Sequence, residues 1–201
     1  MAVLDVLASF AILLVSLSIH EAAHAWSADR LGDPTARLLG RLTLNPISHI
    51  DVIGTMVFPL VAMYSGLPLI GWAKPVPVNW QNLRSPRRDF AVVAAAGPAS
   101  NLVLAVGFAA VLSIAPVGEN VVSALFVRAV VVNVLLAVFN MIPVPPLDGG
   151  NVLAGFVPEG AARLMDALRP WGFLLLYALM LTGVLETLVW PVGRAILRVL
   201  L

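Results

Sequence analysis

The chain of 201 residues contains no cysteine. Disulfides, thiolate metal sites and cysteine nucleophiles are excluded together, so any chemistry has to come from His, Asp, Glu, Ser or Asn. Charge is scarce as well: 11 % of the residues are Asp, Glu, Lys or Arg, against about 25 % in ordinary soluble domains. A formal net charge of +1 leaves no basic face large enough to compete for phosphates, which argues against a nucleic-acid partner. No basic region precedes the apolar run of residues 2–19, and no small-residue cleavage pattern follows it. That run is therefore expected to stay as a transmembrane helix and not to be removed as a signal peptide.

Apolar surface is what the chain has in abundance, with 60 % hydrophobic residues and a mean hydropathy of +0.97. This places it in a membrane, as an all-α polytopic bundle of about four to six segments that uses the whole length as one domain. The expected core covers about residues 2–155, with amphipathic and transmembrane helices over about 156–201. Residues 2 to about 30 read as one helix, apolar through Ile19, polar through Arg30, and ended by Gly32 and Pro34. Residues 33–51 are polar and irregular. Residues 52–70 are apolar but broken by Gly54, Pro59, Gly66 and Pro68. In "WAKPVPVN", Pro75 and Pro77 alternate with Lys74, Val76 and Val78 as in an edge strand, giving a short β-strand or loop element. Spans follow over about 90–115 and 121–142, separated by the acidic turn "PVGEN". Three prolines in "NMIPVPPLDGG" end the second of these. An amphipathic stretch over 158–169, a last span over 170–188 and a tail with Arg194 and Arg198 complete the chain.

Basic residues suggest the topology, because cytoplasmic loops are enriched in Lys and Arg. Arg30, Arg37 and Arg41 lie before the 52–70 segment, and Lys74, Arg84, Arg87 and Arg88 lie after it. Both flanks are thus expected in the cytoplasm, which makes 52–70 a re-entrant element buried in protein or lining a cavity. Arg128, deep in a span, is expected to snorkel outward.

The chemistry starts at "HEAAH", residues 20–24. A helix returns to the same face after four residues, so His20 and His24 can reach one ion, with Glu21 close enough to act on a ligand of that ion. In this H-E-x-x-H arrangement two imidazoles hold zinc and the glutamate is the general base for water activated by it. Without a compensating cation, the three polar groups would cost several kcal/mol at the edge of the hydrocarbon. A di-iron site would need a second Glu-x-x-His, and Glu119, Glu159 and Glu186 each lack a His three residues on. Catalytic zinc takes three protein ligands and keeps a position for water. The third ligand is His49, Asp51 or Asp148. The physical case favours Asp148, which follows helix-breaking prolines at the end of an apolar span and precedes a glycine pair that permits close backbone approach. A metal-ion transporter using His20, His24 and Glu21 as a transit site is the competing reading.

"HEAAH", "AGPASN" (96–101) and "NMIPVPPLDGG" (140–150), with "GRLTLNPISHID" and "GWAKPVPVN", together resemble the site-2 protease family of intramembrane zinc metallopeptidases, in its small bacterial and archaeal form without a PDZ domain. The likeness covers roughly residues 10–155. It implies one Zn2+ per chain held by His20, His24 and Asp148, with Glu21 as catalytic acid/base. It places Asn101 and Asn140 near the active site, where their amides would bind substrate backbone or a developing oxyanion. The implied substrate is a transmembrane segment of another protein, and the implied setting a prokaryotic cell membrane with the site towards the cytoplasm.

Overall fold

Helix α1 (Ala2–Leu31) carries Asp5 in its first turn and Arg30 in its last, each opposite in sign to the end of the helix dipole beside it. The protein is seen as a computed structural model that describes residues 2–57, 61, 64, 72–114 and 120–201. A single turn, α2 (Thr35–Leu38), follows α1, and two long helices, α3 (Pro86–Ile114) and α4 (Val121–Asn140), pack against it and each other. Helix α3 starts with Pro86, where the missing N–H needs no partner, and the Asp89 carboxylate accepts from the Ser85 N–H at 2.7 Å. Helix α4 is capped by Asn120, whose side chain accepts from the Ser123 N–H at 3.0 Å.

The buried face of α3 is Ala91, Ala94, Pro98, Asn101, Ala105 and Ala109, a small side chain or an amide every three or four positions. Lipid offers no hydrophobic drive between helices, so close approach of such faces holds the bundle together. Outward-facing residues such as Val6, Leu7, Val103 and Val106 are exposed and apolar, as a lipid-facing surface requires. Among the described residues four helical stretches are long and apolar enough to cross a membrane: Asp5–Leu31, Pro86–Ile114, Val121–Asn140 and Glu159–Leu181. Arg128 does reach toward the start of α1, and it finds a partner there: its guanidinium donates to the Asp5 carbonyl at 2.8 Å and to the Asp5 carboxylate at 3.1 Å.

The prolines of residues 143–146 carry the chain from α4 into α5 (Asp148–Phe156). A Cβ at Gly149 would collide with the Met141 carbonyl, so the glycine pair does admit the backbone. Helix α5 lies so close on α3 that a Cβ at Gly155 would run into Ala91 Cβ. Arg87 of α3 also donates from Nε to Ala154 O at 2.8 Å, and to the Val157 carbonyl, closing the C-terminal end of α5.

Three expectations change. Residues 72–79 form no strand ladder: among the described residues no strand occurs. Pro75 and Pro77 cannot donate, and the Lys74, Val76 and Asn79 N–H groups go to His49 O, the Glu21 carboxylate and the Asp33 carboxylate. The segment is a strap across α1. Second, the apolar run 170–188 is interrupted. After α6 (Glu159–Leu168), α7 (Gly172–Leu181) ends at Gly183, whose φ of +73° a glycine adopts without strain, and α8 (Val184–Leu200) begins anew. Third, the residues expected as a short tail belong to α8, which runs alongside α4. Its Leu185 clusters with Ile142 and Leu147, and its Ile196, Leu197 and Leu200 pack on Ala105, Ala109, Val130 and Val134. The re-entrant reading of 52–70 falls mostly outside the described residues, which show a π-helical turn at Val52–Val57. Of the "PVGEN" turn, 116–119 lie outside as well.

Replacing Gly155 by alanine forces α5 away from α3. The expected outcome is a loss of about 1–3 kcal/mol, read as a lower unfolding midpoint of the detergent-solubilised protein.

Candidate metal centre

One turn of α1 puts His20 and His24 on the same side, their rings meeting edge to face with centroids 4.7 Å apart. Asp148 opens α5, where the N-terminal end of the helix favours a negative charge. Its Oδ2 lies 3.0 Å from His20 Nε2 and 3.4 Å from His24 Nε2. Both imidazoles are buried and the carboxylate is half-buried. These three form the group that could hold a metal among the described residues.

Hydrogen bonding decides which ring nitrogen points where. His24 Nδ1 lies 2.7 Å from the Val93 carbonyl, which can only accept, so Nδ1 carries the proton. For His20 the same conclusion follows through a chain of amides. Asn133 Nδ2 donates to Ala129 O at 2.9 Å, which fixes the amide and presents its Oδ1 to Asn101 Nδ2, also at 2.9 Å. Asn101 Nδ2 further donates to Ser16 O at 3.4 Å. Asn101 must then offer its oxygen to His20 Nδ1, at 2.6 Å. With each ring neutral, Nε2 is left as a lone pair facing the carboxylate oxygen and three acceptors converge, so the cluster closes only with a proton on Nε2 or a cation between the three atoms.

The space available matches a metal ion. Tetrahedral ligands about 2.0–2.1 Å from zinc stand about 3.3 Å from one another, close to the 3.0 Å and 3.4 Å found here. A Cβ on Gly97 of α3 would sit 2.5 Å from His20 Nε2 and closer still to His24 Nε2. Only glycine leaves that volume free. The donor set of two imidazoles and one carboxylate suits zinc.

Glu21 is buried beside this cluster on α1 and accepts from the Val76 N–H at 2.8 Å. The other two candidate ligands are spent elsewhere. His49 is buried and its Nε2 faces the Thr43 carbonyl at 2.9 Å, while Asp51 caps Gly54 N–H at 2.7 Å. Asn101 is buried against His20 as described. Asn140 is half-buried and donates to Leu136 O within its own helix at 2.9 Å. Asn133, Ser16, Gly97 and Val76 are the participants that sequence reasoning passed over. Only Asn133, an amide inside an apolar helix, carried a visible signal.

Comparison with known proteins bears on the chemistry. Residues 115–181 match the model of Peptidase family M50. A Bacillus subtilis (strain 168) protein named "Putative zinc metalloprotease YwhC" is 38 % identical over 191 residues, 91 % of this chain and 84 % of its own. The chain belongs to peptidase family M50. Proteins named "Putative zinc metalloprotease Rip2" are similar as well. The one from Mycolicibacterium smegmatis is 31 % identical over 178 residues, and the one from Mycobacterium tuberculosis (strain H37Rv) 30 % over 176; each match covers 86 % of this chain and 66 % of the relative. No solved structure matches the chain. The family is the site-2 protease family that the motifs resemble, zinc is the metal it implies, and the M50 chain is a multi-pass membrane protein.

Two outcomes are expected for this M50 centre. Gly97→Ala fills the gap between the imidazoles, so purified protein should carry almost no zinc by elemental analysis while its helical circular dichroism is unchanged. Asn133→Ala releases the amide chain behind His20 and should weaken zinc about 10-fold, measured by competition with a chelating dye.

Proposed function

We propose that this chain is an intramembrane zinc endopeptidase, one domain over residues 1–201, that hydrolyses peptide bonds in or near transmembrane segments of other membrane proteins. The observation that carries the reading is the convergence of His20 Nε2, His24 Nε2 and Asp148 Oδ2 with both Nδ1 atoms turned away to Asn101 and Val93, and with Glu21 next to His20 on α1. The family supports a protease. The apolar outer faces of α1, α3 and α4 support a substrate that reaches the site through lipid. The basic residues Arg30, Arg37, Arg41, Lys74, Arg84, Arg87 and Arg88 all lie in or beside the loops on the HEAAH side of α1 and α3. That asymmetry supports a cytoplasmic setting for cleavage.

In this reading His20, His24 and Asp148 hold the ion, which when bound supplies Lewis acidity to a peptide carbonyl and to water. Glu21 takes a proton from the attacking water at its carboxylate and returns it to the leaving amine. The Val76 N–H on Oε2 orients that carboxylate. Asn101 keeps His20 in the tautomer that presents Nε2, a role on the ligand and not on the substrate. Asn140, with one amide hydrogen on Leu136 O, is the amide assigned to the substrate backbone. A helical substrate must expose a peptide bond to react, since its carbonyls are otherwise satisfied within the helix.

Glu21→Gln keeps the size of the side chain and removes the base. It should retain zinc at the wild-type level and lose about 10²–10⁴-fold in turnover of a membrane-embedded reporter. Turnover within twofold of wild type would remove Glu21 from the chemistry. Loss of zinc together with activity would make it a ligand.

A further inference from the structure

Asp33 lies just beyond the end of α1 and is completely buried. A buried carboxylate at the C-terminal end of a helix is opposed both by desolvation and by the helix dipole. Four donors surround it. Oδ1 accepts from the Thr35 N–H, the Thr35 hydroxyl and Asn82 Nδ2, and Oδ2 from the Asn79 N–H at 2.6 Å. Burial pushes this carboxyl up, but the hydrogen bonds of Thr35, Asn82 and Asn79 outweigh it and hold the group below the ordinary carboxylate value. At neutral pH it is an anion with no proton to give, matched to four donors. Two of the four come from residues 79 and 82, more than 40 positions along the chain.

Asn79 ends the strap of 72–79, and Asn82 closes the turn that follows it. At the strap's other end the Lys74 N–H bonds to His49 O at 2.8 Å, and the half-buried Arg41 donates from its guanidinium to Lys74 O at 2.8 Å. Between these moorings Pro75 and Pro77 have no N–H, so Val76 is the one residue of 75–77 able to donate. It donates to Glu21 at 2.8 Å. The strap therefore meets α1 twice, at Glu21 and just past the helix end at Asp33. Both contacts are carboxylates accepting strap N–H groups.

We propose that Asp33 is a positioning residue for Glu21: by clasping Asn79 and Asn82 it holds the strap in the register that keeps the Val76 N–H on the Glu21 carboxylate. This rests on the reading of Glu21 as the base. The contact itself does not, and so the two can fail separately. The clasp touches none of His20, His24 or Asp148, which gives it a signature that general damage to the fold lacks.

The test uses the full chain in detergent or nanodiscs, comparing wild type with Asp33→Asn and with Asn82→Ala. The second variant removes one tether and leaves the Thr35 contacts of Asp33 in place. Three quantities are read: zinc per chain, kcat and KM on a membrane-embedded reporter, and residue-resolved hydrogen exchange at Val76, the only amide hydrogen within residues 75–77. Zinc should stay at the wild-type level in at least Asn82→Ala. Val76 exchange should accelerate about 10-fold or more, and kcat should fall roughly 10- to 100-fold with KM within about twofold, Asp33→Asn the more severe. Wild-type protection of Val76 in both variants would overturn the clasp. Faster exchange with undiminished kcat would overturn its action on Glu21. If Val76 responds as expected but Glu21→Gln remains active, the clasp stands and the base assignment falls.

Discussion

The fold turns on one close approach of polar groups. Asp148 Oδ2 stands 3.0 Å and 3.4 Å from the Nε2 atoms of His20 and His24 in the interior of an apolar bundle, while both Nδ1 atoms are committed outward to Asn101 and Val93. Electrostatics in a medium of low polarity makes such a cluster untenable without a positive charge. Zinc, the metal the family implies, would supply that charge; in the proposed set its ligands would come from α1 and α5, 128 positions apart, so the ion would also tie the fold together.

Seen this way, the small residues have a purpose beyond helix packing. Gly97 leaves open the space beside the two imidazoles, Gly149 lets α5 start against the Met141 carbonyl, and Gly155 brings α5 down onto α3. The amide chain from Ser16 through Asn133 and Asn101 to His20 uses polar groups that would be costly in lipid, yet each is satisfied. It converts the fixed direction of a main-chain carbonyl into the orientation of the His20 ring. The strap holds Glu21 in a corresponding way, through the Val76 N–H.

How much of this could be read in advance depended on how local the signal was. His20, Glu21 and His24 declare themselves because helical periodicity places them within five residues. That Asp148 lies against the two imidazoles was readable from its position after the prolines, and His49 and Asp51 were set apart from it only by contacts to Thr43 and Gly54 that no pattern reveals. Asn133 meets Ser16 across 117 positions, a pairing that is purely tertiary. Asp33 looked like an ordinary turn residue in "GDPT", and only its complete burial and its two strap partners distinguish it. The long helices α1, α3 and α4 followed from hydropathy. The break at Gly183 was hidden because a single glycine in an apolar run is compatible with a continuous helix. The alternation of Pro75 and Pro77 suggested an edge strand, but the N–H groups of Lys74, Val76 and Asn79 go to a loop carbonyl and two carboxylates and not to a neighbouring strand.

The most direct test of the central claim is X-ray absorption spectroscopy at the zinc edge on the purified full chain. The account expects one zinc per chain with two imidazole nitrogens at about 2.0–2.1 Å and oxygen neighbours at about 2.0–2.2 Å, and a shell that changes when Asp148 is replaced by Asn. A natively folded protein that takes up no zinc, or one whose zinc shell lacks imidazole or is indifferent to Asp148→Asn, would contradict it.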